Sequence, residues 1–157
     1  MKLYILTSVL LVSGLVQAHP VSLGRLSIQN KEQIFDLKLE VDFHSCEHLL
    51  NAAKCELNPA TAKNLFNKSL GVTSLKLGGA VCAWNEDFQT KKVSREMLEL
   101  SVSAKCPAPV VGNELILDLA FLKTLGSKYN LMTKSNLNGV ERSQTVTPKE
   151  PSLKLKF

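Results

Sequence analysis

The chemistry available to this chain rests on three histidines and four cysteines. His44 and His48 stand four residues apart, with Ser45, Cys46 and Glu47 between them. Two imidazoles one helical turn apart can grip a metal ion, provided the helix already includes residue 44. Ser45 reads as the helix cap, which would leave His44 on the preceding strand end. The third histidine, His19, follows a segment ending Val16-Gln17-Ala18. If the chain is cut after Ala18, His19 presents a free amine and an imidazole from one residue. That pair forms a bidentate grip on Cu(II) or Ni(II), similar to the histidine brace of exported copper-binding β-sandwich proteins. A further ligand would come from His44 or His48.

The cut is expected from the first residues. Lys2 is followed by an apolar run from Leu3 to Val16, then by small residues at the positions a signal peptidase reads. This predicts a signal peptide over 1–18 rather than a membrane span, which needs about 20 apolar residues. Removing it leaves 139 residues, the size of one domain, 19–157. Export makes the even cysteine count informative. Cys46, Cys55, Cys82 and Cys106 predict two disulfides among three connectivities. Position favours Cys46 with Cys55, flanking one helix, and Cys82 with Cys106, near the ends of a strand meander. Free thiols or metal ligation are the alternatives. A cysteine nucleophile at Cys46 between two histidines is a third reading, and an exported disulfide explains that residue better.

Other chemistry finds little support. The chain has no Gly-x-Ser-x-Gly, no His-Glu-x-x-His and no phosphate-cradling glycine loop. Asp36, Glu40 and Asp42 are explained by the wet face of a strand. Nineteen Lys and Arg stand against 14 Asp and Glu, and only Lys2 lies in the leader, so the exported part carries +4. The basic residues are scattered and no aromatic stripe accompanies them, which argues against nucleic acid as a partner.

The elements that would hold these residues are mostly strands. Phe35, Leu37, Leu39, Val41 and Phe43 alternate with polar residues, the period of a half-buried strand. Leu23 to Ile28 is expected to pair with it as a hairpin. Residues 45–70 read as a helical insert. Its second helix is capped by Asn58, begins at Pro59 and stops at Gly71. Strands are expected at 73–77, 81–84, 88–93 and 98–106, and 114–122 reads as either a buried strand or a strand running into a helical turn. Asn138-Gly139 is a strong hairpin turn between 129–134 and 140–146. Leu153, Leu155 and Phe157 close the pattern. Pro107 and Pro109 stop the strand that ends at Cys106. Eight or nine short strands and one helical interruption predict a mainly β, antiparallel β-sandwich-like domain.

The order of these features resembles the exported N-terminal region of HupE/UreJ-like membrane proteins. The resemblance runs over nearly all of 19–150. It is carried by the leader ending at Ala18, His19-Pro20, the strand pair and Asn58-Pro59-Ala60. It continues through Gly78-Gly79 with Cys82, the strand ending Cys106-Pro107, Leu115-Ile116-Leu117, Phe121-Leu122, Tyr129-Asn130 and the final hairpin. It implies a β-rich extracytoplasmic domain with a Cys82–Cys106 bridge, in a family associated with nickel or cobalt uptake. Family members continue into membrane helices, where this chain ends at Phe157, so transport is not expected of it. Cys46 and Cys55 are additions to the pattern. The expectation is therefore a soluble exported binding or accessory domain, not an enzyme. Its expected partner is an envelope protein or a membrane transporter, and its compartment the periplasm or outside the cell. No cofactor is expected on that reading. The alternative is a periplasmic Ni(II) or Cu(II) binding or delivery protein using His19, His44 and His48.

Overall fold

A computed structural model describes residues 23–107 and 112–157. The leader, the Ala18–His19 bond, His19 itself and Pro109 lie outside the described residues. The described residues form eleven strands in two sheets with a helical piece between the second and third strands. Strands β1 (Leu23–Lys31) and β2 (Ile34–Asp42) form the expected antiparallel hairpin. Helices α1 (Phe43–Leu50) and α2 (Pro59–Lys68) follow, then a 3-10 turn at Leu70–Val72. The remaining strands are β3 (Ser74–Leu77), β4 (Ala80–Val81), β5 (Ala83–Trp84), β6 (Gln89–Lys92), β7 (Met97–Lys105), β8 (Glu114–Asp118), β9 (Asn130–Leu137), β10 (Val140–Val146) and β11 (Ser152–Lys156). The large sheet runs β10-β9-β1-β2-β7-β5, with β6 also on β7; the small sheet runs β11-β8-β3-β4.

The pairing is antiparallel with one exception. β1 and β9 run parallel, in register from Leu23 with Asn130 to Gln29 with Asn136. A parallel pair needs a long crossover, and everything between the two strands supplies it.

Alternation builds the core. On β2, Phe35, Leu37, Leu39 and Val41 are fully buried while Asp36 and Lys38 are exposed. Their register partners on β7 include the buried Ala104, Val102, Leu100 and Leu98. Leu75, Leu77, Leu115, Leu117, Leu153 and Leu155 supply the facing layer from the small sheet. Each such leucine removed from water contributes on the order of 2 kcal/mol.

Several boundaries differ from the expectation. The first helix starts at Phe43, not Ser45. Asp42 is its cap, accepting from Ser45 N at 2.7 Å and from Ser45 Oγ at 2.6 Å. The alternating pattern hides this, because Asp42 occupies a wet strand position and a cap position at once. The second helix begins as expected, with Asn58 Oδ1 accepting from Thr61 N at 2.8 Å and Pro59 in the first turn. It ends earlier than Gly71. Ser69 turns the chain, its buried hydroxyl donating to Leu65 O, and Gly71 falls inside the 3-10 turn. The segment 81–84 is two strands, not one: the chain leaves the small sheet after Val81 and joins the large sheet at Ala83. Of the two readings of 114–122, the strand running into a helical turn is the one found: β8 stops at Asp118 and a 3-10 turn follows at Ala120–Leu125.

Candidate functional site

Cys82 sits where the chain changes sheet. It is bonded to Cys106, which follows β7, with their Cα atoms 4.2 Å apart. Both are buried in the core. This bridge staples the crossover from the small sheet onto the large one. Cys46, on the buried side of α1, is bonded to Cys55 in the loop before α2, with Cα atoms 6.0 Å apart. Cys46 therefore has no thiol to act as a nucleophile. No free cysteine occurs among the described residues.

The earlier helix start brings His44 and His48 onto one exposed face of α1, a turn apart. His44 Nδ1 lies 3.9 Å from Glu47 Oε2. His48 Nε2 lies 2.8 Å from Thr124 O. A carbonyl can only accept, so Nε2 donates this hydrogen bond. His44, Glu47, His48 and Asn51 line one side of an open dish of about 450 Å³. The described residues contain no group of three or more ligating side chains already gathered for a metal. The two histidines therefore stand without a third ligating side chain gathered beside them among the described residues.

The second candidate is the outer face of the large sheet. Here the side chains opposite the core face solvent, and register aligns them in rows. One row reads Arg25, Glu40, Glu99, Lys91 across β1, β2, β7 and β6. Two glutamates directly opposite one another repel. Each is answered by its own cation: Arg25 Nη1 stands 3.8 Å from Glu40 Oε2, and Lys91 Nζ 3.2 Å from Glu99 Oε1. Glu99 is buried and also accepts from Ser101 Oγ at 3.0 Å. The next row carries Lys134, Ser27, Lys38, Ser101 and Gln89. The third carries Asn136, Gln29, Asp36 and Ser103, with Asn85 Nδ2 donating to Ser103 Oγ at 2.6 Å. The charged row was invisible in the sequence, because it depends on how non-consecutive strands align. The alternation that marks Asp36, Lys38 and Glu40 as wet is its only trace.

A third feature lies at the sheet end beside α1. Tyr129 is fully buried, and its hydroxyl faces Ser45 and Asp42 without closing a hydrogen bond. Burial pushes its ionisation far above the ordinary tyrosine range, Asp42 adds to that, and Ser45 opposes it. Gly24 packs against this ring so closely that a Cβ there would collide with the hydroxyl. This is packing, not chemistry.

No helix among the described residues is long and apolar enough to cross a membrane. No family model matches the chain, and no curated protein matches it.

Proposed function

We propose that the protein is an exported, non-enzymatic binding or accessory domain of the cell envelope. On this reading its working surface is the outer face of the large sheet. The observation that carries it is the composition of that face: serine, glutamine, asparagine and paired charges, in register, open to solvent except at the buried Glu99. Such a face offers donors and acceptors on a rigid frame, with no activated nucleophile or positioned acid–base pair. Two disulfides suit an oxidising compartment. The resemblance to the exported region of HupE/UreJ-like proteins supports an envelope protein or transporter as the partner.

Photo-crosslinking residues placed at Ser27, Lys38 and Ser101 test this in the native envelope. The proposal expects a discrete adduct from these positions and none from Lys76 or Lys154 on the small sheet. Equal labelling of both sheets would sink it.

One observation favours a second reading, metal capture. His44 and His48 share a helix face at the sheet end where β1 begins at Leu23. His19 lies four positions before Leu23, a reach of about 14 Å at most. The hydrogen bond from His48 Nε2 to Thr124 O is also a common arrangement for a ligating histidine. Calorimetric titration of the 19–157 chain with Cu(II) and Ni(II) separates the readings. Metal capture expects micromolar affinity that falls at least tenfold in His19→Ala and in His48→Ala. Binding no tighter than millimolar in the unsubstituted chain removes it.

A further inference from the structure

The four outer strands of the two sheets are not alike. β4 is two residues long, β11 carries Lys154 and Lys156, and β6 carries Lys91 and Lys92 beside the two-residue β5. Short strands and lysines are the usual guards against unwanted strand pairing. β10 has neither. It is seven residues long, Val140–Val146, and contains no lysine or proline. Among the described residues it pairs with β9 alone, and every residue from Val140 to Thr145 is exposed.

Its free edge can be assigned. The two-residue turn Asn138-Gly139, with φ of 52° and 81°, makes Leu137 and Val140 the closing hydrogen-bonded pair. Alternation then points the N–H and C=O of Glu141, Ser143 and Thr145 away from β9. Thr133 Oγ1, on β9, donates to Gln144 O at 2.9 Å, as an inward-facing carbonyl at Gln144 requires.

The strand reads Val-Glu-Arg-Ser-Gln-Thr-Val, which is self-complementary when reversed. Centred on Ser143, it sets Val140 against Val146, Glu141 against Thr145 and Arg142 against Gln144. No like charges meet. The three outward residues pair only with outward residues, so every free N–H meets a free C=O. Val140, 53% exposed, falls opposite Val146, which its own chain already buries. A shift of two residues one way opposes Arg142 with its own copy, and the other way shortens the ladder and opposes Gln144 with Gln144.

We propose that β10 pairs antiparallel with β10 of a second copy, about a two-fold axis through Ser143. The axis stands perpendicular to the sheet, because paired residues lie on the same face. The two outer faces then join into one continuous surface. The pairing stands whether or not that surface binds the partner proposed above. An interface of one strand is small, so the dimer is expected to be reversible, with a dissociation constant on the order of 10–100 µM.

Sedimentation of the 19–157 chain across that range, with cross-linking of two cysteine variants, tests this. The unsubstituted chain should shift from monomer to dimer. Ser143→Pro removes one outward N–H, costs no bond to β9, and should abolish the shift. Ser143→Lys, which opposes two ammonium groups at the axis, should weaken it at least tenfold and serves if the proline variant misfolds. Ser143→Cys should oxidise to a covalent dimer, because directly opposed residues of such a pair lie about 5.5 Å apart. Thr145→Cys should not, since the two copies of that residue stand about 13 Å apart along the strands. A chain that stays monomeric throughout, a dimer that survives both Ser143 substitutions, or equal cross-linking of the two cysteine variants would each overturn the proposal.

Discussion

The two margins of the large sheet are built on opposite plans. At one, β5 and β6 are short and buttressed, and β6 carries two lysines. Phe66 of α2 stacks on Phe88 at 5.0 Å and meets Trp84 edge-on at 5.7 Å, and Lys92 Nζ stands 5.7 Å over the Phe43 ring. The Cys82–Cys106 bridge fastens the same corner. At the other margin, β10 hangs on a hairpin turn, exposed from Val140 to Thr145, with no disulfide, helix or lysine among the described residues to close it. The difference teaches where stability and where contact are placed. One margin is finished by the chain itself, and the other is left to be finished by something else.

Breaking the closed margin should give the largest effect. Replacing Cys82 and Cys106 together by alanine should cost about 3 kcal/mol by loop entropy, and more if the buried sulfurs leave a cavity. Replacing Cys46 and Cys55 closes a shorter loop and should cost about 2.5 kcal/mol. Urea unfolding of both variants measures the order. If losing the Cys46–Cys55 bridge is the worse of the two, the crossover at Cys82 is not the staple described here.

Next in size is the Gly24–Tyr129 contact, on the side of the open margin. Gly24→Ala should destabilise by about 1–3 kcal/mol through overpacking. Tyr129→Phe removes a buried hydroxyl with no partner, so it should be neutral or slightly stabilising. It should also relieve part of the Gly24→Ala loss, which a double-mutant cycle reads directly. The hydroxyl predicts a pH response too. Its ionisation is raised by folding, so its contribution is fully present below about pH 10 and is lost as pH rises beyond it. Tyr4 lies in the expected leader, so Tyr129 is the sole tyrosine of the 19–157 chain. Phenolate absorbance should therefore appear only as the protein unfolds in alkali. A normal tyrosine titration in the folded protein would contradict its burial.

The smallest effect tests the cap that joins the two regions. Asp42→Ala should cost about 1 kcal/mol, because the carboxylate accepts from the backbone at Ser45. Under the metal-capture reading it should also weaken metal binding, by fraying the turn that holds His44. Unchanged thermal stability in this variant would return the helix start to Ser45.

The sequence was most legible where one residue answers to one constraint. Alternation from Phe35 to Val41 shows both the strand and its buried face. Asn58 before Pro59 shows the second helix start, and Asn138-Gly139 shows the last hairpin. The even cysteine count shows two bridges. It was least legible where a residue answers to two constraints or where a strand's partner is remote. Asp42 ends a strand and caps a helix, so the pattern alone points to Ser45. Val81 and Ala83 look like one strand because local pattern is silent about which sheet each joins. β9 lies parallel to β1, an arrangement set by tertiary packing across the whole intervening chain. The opposition of Glu40 and Glu99 follows from the register of β2 on β7, which local pattern does not reveal either. The free edge of β10 was likewise invisible until its neighbours were known.

Amide hydrogen exchange of the 19–157 chain, followed residue by residue at a low and a high protein concentration, tests the central contrast most directly. In dilute solution the outward amides of Glu141, Ser143 and Thr145 should exchange rapidly while those of Arg142 and Gln144 are protected. Above the dimerisation range the three outward amides should slow at least tenfold, with no change at Gln89–Lys92 on the closed margin. Exchange at Glu141, Ser143 and Thr145 that is independent of concentration would contradict the account.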